Sequence, residues 1–162
     1  MRSQAAFTIT PARQPRELAE AAKLFADYAR ALGLDLSFQG FEAELATLPG
    51  KYAPPAGEIL LACFADGLAA GCVALRPLTP SCCEMKRLFV APQGRGLGLG
   101  RALVQAILAT ARGAGYAEMK LDTVASLASA VSLYRNAGFR PIPAYCENPF
   151  ADAVFLGLRL SP

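Results

Sequence analysis

The 162-residue sequence contains no histidine. That absence removes Ser-His-Asp and Cys-His nucleophilic catalysis, and with them the commonest zinc sites. Cysteine is sparse: Cys63, Cys72, Cys82, Cys83 and Cys146 are odd in number and include no CxxC pair. Free, mostly buried thiols in a reducing compartment are the expectation. No apolar run approaches the roughly 18–20 residues that span a bilayer. The opening stretch MRSQAAFTITPARQ has no basic head leading into a long apolar segment, so no signal peptide is expected and the expected location is cytoplasmic. Charge is also scarce. A net charge of +3 gives no argument for a nucleic-acid partner, and nothing points to a membrane.

What is present is apolar. With 54% hydrophobic and 18% charged residues, the chain has the composition of a folded globular protein, and its length suits a single domain over 1–162. Phe7 to Thr10 is β-branched, stops at Pro11 and predicts a strand. Leu18, Ala21, Ala22, Phe25 and Ala29 recur at helical spacing up to Gly33. A second helix is expected from Ser37, as its cap, through Phe41, Leu45 and Leu48. After a loop rich in proline and glycine, two apolar runs flank Asp66-Gly67 and read as a hairpin. A strand from Glu84 to Val90, a helix from Gly100 to Ala114, a strand from Glu118 to Thr123 and a helix from Ser126 to Asn136 follow. The tail AVFLGLRL reads as a last strand. The order β-α-α-β-β-β-α-β-α-β-β predicts an α/β fold with a mixed sheet and helices on both faces.

Between Val90 and the helix lie Gly94, Gly96, Gly98 and Gly100, a costly run for a residue that disfavours helices. Strand, glycine-rich turn and helix together make an anion site. The first N–H groups of a helix lack internal partners, the helix dipole adds positive potential, and glycine lets the backbone approach closely. Two familiar phosphate loops are excluded. A GxGxxG frame would need glycine at Leu99, Arg101 or Leu103, and a P-loop would need Lys-Ser/Thr where Arg101-Ala102 stand. Lys86, Arg87, Arg95 and Arg101 form a basic cluster along this stretch, opposed only by Glu84.

The run does match R/QxxGxG, as Arg95-Gly96-Leu97-Gly98-Leu99-Gly100, with a second possible frame from Gln93 to Gly98. Further on stands Leu133-Tyr134-Arg135-Asn136-Ala137-Gly138-Phe139. In these two markers the sequence resembles the GNAT N-acetyltransferases, from about Phe7 to Leu160. The resemblance implies a mixed, mostly antiparallel sheet of about seven strands, with a splayed strand pair holding acetyl-CoA as co-substrate and no metal. It implies that Leu88, Phe89 and Val90 bond the pantetheine arm. The Leu88 N–H would polarise the thioester carbonyl, a contribution typically worth ~3 kcal/mol. The amides of Leu97, Gly98, Gly100 and Arg101 would hold the pyrophosphate, with charge from Arg95 and Arg101; Gly96 lies within the same loop. A homodimer is compatible with the resemblance.

An acceptor amine with a pKa of ~10 must lose a proton before it attacks. Without histidine, a carboxylate or a chain of waters must take it. Glu84 is the leading candidate by resemblance, with Glu118, Asp122 and Asp35 behind it. The resemblance casts Tyr134 as the group that protonates or hydrogen-bonds the departing CoA sulfur. One position departs from the pattern: seven residues before this tyrosine, where many relatives carry asparagine, stands Leu127. In such enzymes the acceptor is chosen by the segment between the first helices and by the last hairpin, here Gly33 to Phe41 and Pro143 to Phe150. Asp35, Gln39, Tyr145 and Asn148 are the candidate acceptor-binding residues, for an amine of a small molecule or peptide. Two other readings stay open at this level: an acetyl-CoA-binding module without catalysis, and a nucleotide-binding protein of another α/β type, which the failed GxGxxG disfavours.

Overall fold

The computed structural model describes residues 6–33, 35–37 and 40–161. The chain runs β1 (Phe7–Pro11), α1 (Pro15–Leu32), α2 (Phe41–Ala46), β2 (Glu58–Phe64), β3 (Ala69–Pro77), β4 (Cys82–Val90), α3 (Leu99–Gly113), β5 (Glu118–Val124), α4 (Ala128–Asn136), β6 (Arg140–Pro141) and β7 (Ala153–Arg159). The strands form one seven-stranded sheet in the order β1-β2-β3-β4-β5-β7-β6. All neighbours are antiparallel except β4 and β5, which run parallel.

Local chemistry explains the element boundaries. Pro15 opens α1 at a position where no N–H is needed, and the Glu17 carboxylate accepts the Gln14 N–H at 2.8 Å. Gly33, at φ 62°, ends the helix in the left-handed region. The expectation that Ser37 caps α2 is corrected. Its N–H turns back to Asp35 Oδ1 at 2.8 Å, and Gly40 is the cap, so α2 is shorter than expected and Leu48 lies beyond it. At α4, the helix begins at Ala128 rather than Ser126, and the Ser126 N–H instead donates to Asp152 Oδ2 at 3.1 Å.

Alternation along the strands divides the core in two. On one face, α3 lays Leu103, Val104, Ile107, Leu108 and Ala111 against Leu60, Ala62, Val73, Leu75, Met85, Met119 and Leu121. These helix residues are at most 2% exposed, and each large aliphatic side chain contributes roughly 1.5–3 kcal/mol by leaving water. On the other face, Ala21, Leu24 and Phe25 of α1 pack with Tyr52 on Ile59, Leu61, Cys72 and Ala74.

The feature that positions the site is a defect in β4. Cys72 pairs with Phe89 and Ala74 with Lys86, so β4 spends three residues where β3 spends two. This is a β-bulge. Arg87 sits in it at φ 63°, the sole non-glycine residue with positive φ among those described. On its other edge, β4 pairs with β5 only from Cys82 to Glu84, against Glu118 to Lys120. Past that point both strands continue without bonding each other, and a cleft opens between them. The splay expected from the sequence is present.

Candidate active site

The cleft runs from the glycine-rich loop into the sheet. Its outer part, about 360 Å³, is bounded by Leu88, Phe89 and Val90 of β4, by Arg95 and Gly100, and by Leu127, Ala130 and Leu133 beside α4. Its inner part, about 60 Å³, reaches Lys86, Arg87, Leu121, Asp122, Tyr134, Asn148 and Phe150. Tyr28 of α1 and Leu88 border both parts.

At the outer mouth, β4 gives way to a short turn and then to α3. The Arg95 N–H is bonded to the Pro92 carbonyl at 3.3 Å, and the next N–H engaged is that of Ala102, on the Gly98 carbonyl at 3.1 Å. Among the described residues, the N–H groups from Gly96 through Arg101 have no hydrogen-bond partner. Gly96 and Gly98 adopt φ of 78° and 82°, and a Cβ on either would meet nothing within 4 Å. Their backbone therefore curls with an open approach. Gly94 and Gly100 serve packing instead: a Cβ at Gly94 would lie 2.9 Å from Leu99, and one at Gly100 would lie 3.3 Å from Leu133.

The basic cluster does not form one patch, which corrects the sequence expectation. Arg95 and Arg101 stand exposed at the loop, and the Arg95 side chain reaches back to the Val90 carbonyl at 3.5 Å. Arg101 borders a separate hollow beside Val104 and Asn136. Arg87 is buried. Its Nε and Nη2 donate to both oxygens of Glu44 at 2.8 and 2.9 Å, Lys51 joins that carboxylate at 3.0 Å, and the guanidinium lies 5.1 Å from the Phe41 ring centre. The bulge is thus tied to α2. Burial opposes both charges, but the mutual bonds prevail, lowering the Glu44 pKa and raising that of Arg87.

Tyr134 is 8% exposed and lines the inner cleft, its ring edge-on to Phe139 at 6.0 Å. Burial raises its pKa, so the phenol keeps its proton at neutral pH. The turn that carries it is fixed by Gly138, at φ 106°, and by the Phe139 N–H returning to the Tyr134 carbonyl at 3.1 Å. Leu127 borders both parts of the cleft, an apolar side chain where the sequence pattern suggested an amide.

The carboxylates are arranged in depth. Glu84 is 2% exposed; its Oε2 accepts the Tyr145 hydroxyl at 2.6 Å and its Oε1 accepts Arg76 Nη1 at 3.3 Å. Burial first, and then the Glu84 charge, push the Tyr145 pKa up. Asp122 borders the cleft itself, accepting Asn148 Nδ2 at 3.1 Å and the Cys146 thiol at 3.7 Å. Donor atoms of Glu84, Asp122 and Cys146 lie within 4.8 Å of one another. Burial, then the nearby carboxylates, push the Cys146 thiol up to about 11, so the sulfur stays protonated at neutral pH.

Of the acceptor-side residues expected from the sequence, Tyr145 and Asn148 come to this cluster. Asp35 does not: it is exposed, it serves the turn through Ser37, and its neighbour Leu36 borders the cleft instead. Gln39 lies outside the described residues. Sequence reasoning missed Tyr28, Glu44 and the division of the basic cluster. A charged residue at every other position of a short helix, as Glu42 and Glu44 stand, carries no sign of which one is buried.

The family model for the acetyltransferase (GNAT) family matches residues 19–139. An uncharacterised N-acetyltransferase of Schizosaccharomyces pombe is 41% identical over 155 residues, 95% of each chain. Among solved structures, an acetyltransferase of the GNAT family from Staphylococcus aureus superposes with a TM-score of 0.80 at 22% identity, over 96% of this chain and 100% of that one. The yncA protein of Salmonella typhimurium, solved with its cofactor acetyl-CoA, gives 0.71 at 19% identity, over 96% of this chain and 95% of that one. The parted strands, the loop of open amides and a family match across most of the sequence lead to one assignment: this protein belongs to the GNAT family and is an acyltransferase.

Proposed function

We propose that the protein transfers the acetyl group of acetyl-CoA to a primary amine by direct attack within a ternary complex. The observation that carries this reading is the row of unpaired N–H groups from Gly96 to Arg101, opening onto the cleft that ends at Tyr134 and Asp122. Those amides, at the positive end of α3, suit a diphosphate. Arg95 and Arg101 would add charge, and the parted edge of β4 from Leu88 to Val90 would bond the pantetheine arm. Acetyl-CoA supplies an activated acyl carbon with a thiol leaving group.

Each partner of the reaction then has a group in reach. The Leu88 N–H would steady the thioester oxygen as it gains charge. The acceptor nitrogen bonds to the acyl carbon, the carbon–sulfur bond breaks, the sulfur takes the Tyr134 proton, and the second proton that the nitrogen sheds after attack restores the phenol through water. Asp122 borders the cleft and would receive the amine proton, directly or through water. Glu84, expected from the sequence as that base, stands behind Tyr145, and we assign it the support of that hydrogen-bonded wall.

Calorimetry with acetyl-CoA, followed by free-CoA release over a panel of amines, tests the reading. Tight donor binding with amine-dependent release is the expected result. Donor binding with no release on any amine would leave a non-catalytic module, and no donor binding at all would refute the loop assignment.

A further inference from the structure

The inner cleft holds two opposite charges, neither of them hydrogen-bonded to a charged partner. Lys86 extends from β4 with its side chain only 9% exposed, and it forms no hydrogen bond among the described residues. Its nearest carboxylate oxygen, Glu84 Oε1, is 3.8 Å away, beyond hydrogen-bond reach. That carboxylate is already engaged by Arg76 and by the Tyr145 hydroxyl. On the facing strand, Asp122 accepts only from neutral groups, the Asn148 amide and the Cys146 thiol, and forms no ion pair among the described residues. The neighbouring charges are self-contained, since Arg87 and Lys51 both go to Glu44.

A buried ammonium whose one ion-pair partner stands 3.8 Å away and is already engaged by two other donors is only partly compensated, and a ligand anion would complete its pairing. Burial lowers the Lys86 pKa, in keeping with a cation that its surroundings compensate only partly. A simple amine would leave that cation unanswered. A polyamine would likewise bring no anion to Lys86 and would place further ammonium charge beside it. What fits one cation and one anion lining the same small cleft is a molecule bearing both signs close together. Around them, Leu32, Leu36 and Phe150 leave an apolar surround.

We propose that the acceptor is a free α-amino acid with an apolar side chain, its carboxylate held by Lys86 and its amino group by Asp122. This rests on the acetyl-transfer reading above and names the substrate class for the same site. The apolar side chain lies among Leu32, Leu36 and Phe150. The bonds made and broken are those of the transfer already described, with Asp122 receiving the amine proton.

The test compares L-leucine, L-methionine and L-phenylalanine with their carboxamides, by kcat/KM for free-CoA release, in the wild type and in Lys86→Met and Lys86→Arg. The carboxamides have the less basic, more readily deprotonated amine, so amine reactivity alone favours them. The expected result is a preference for the acids of roughly 30-fold or more, as for a desolvated charge pair, carried mostly by KM. That preference collapses in Lys86→Met and persists in Lys86→Arg. Lys86→Met replaces a buried charge by an apolar side chain of similar length, and its thermal unfolding checks that it folds. Carboxamides or plain amines acetylated as well as the acids would overturn the inference while leaving acetyl transfer standing. So would the absence of calorimetric binding by all three acids to the CoA-loaded protein, or an undiminished preference in a folded Lys86→Met. Failure to bind acetyl-CoA itself would remove both.

Discussion

The two faces of the sheet are built on different principles. Under α3 the face is closed mainly by hydrocarbon: Leu103, Val104, Ile107 and Leu108 meet aliphatic residues of β2 to β5, and the cluster buries no charged side chain. Under α1 and α2 the face carries charge. Cys83 and Met85 belong to the α3 side, so alternation sends Glu84 and Lys86 to the other, where Arg87 and Glu44 are also buried. The first face holds the fold together at little risk, because it has no charge to leave unpaired. The second accepts the cost of desolvated charge and gains directed chemistry. The cleft lies where the strands part, with the loop of open amides at its mouth and the charged wall at its inner end.

Five substitutions would break or sharpen that contrast. The largest effect is expected from Glu44→Ala, which leaves the Arg87 guanidinium buried without its carboxylate; a loss of about 3–5 kcal/mol should appear in urea unfolding. The same pair predicts acid sensitivity. Because the folded Glu44 pKa is depressed, its stabilisation is complete above the usual glutamate range and disappears as pH falls through the folded value. Glu44→Gln should flatten that acid limb. Next, Leu103→Ala should cost about 3 kcal/mol through a cavity in the dry face, with kcat unchanged wherever the protein remains folded. A clear loss of turnover there would show that the two faces are not separable.

Tyr134→Phe is expected to lower kcat by about 100-fold, the scale of one positioned acid, while acetyl-CoA affinity measured by calorimetry holds. Unchanged turnover would remove the phenol from the reaction. The smallest effect belongs to Gly98→Ala. Its left-handed φ should cost about 1–2 kcal/mol in thermal unfolding, with weaker acetyl-CoA binding measured alongside.

The scaffold was readable because it rests on local signals. Apolar spacing located α1 and α3, Asp66-Gly67 located the β2–β3 hairpin, and Gly33 and Gly138 marked helix ends. The glycine loop and the Tyr134 segment were readable through the resemblance they carry. What escaped was everything set by pairing across the chain. Ser37 looked like a cap because its competition with Asp35 and Gly40 depends on how the connection folds. Lys86, Arg87, Arg95 and Arg101 looked like one patch because linear distance does not reveal which face a residue takes. That Asp122 borders the cleft while Glu84 stands behind Tyr145 also depends on how the strands part, which no local signal announces.

The extra residue in β4 has a consequence for the whole strand. Before it, odd-numbered Cys83 and Met85 turn toward α3; after it, even-numbered Leu88 and Val90 do, while Phe89 turns toward α1. The strand changes parity midway. A single inserted position thus keeps the hydrocarbon side sealed along the full length of β4, on the same stretch where the strand has already parted from β5.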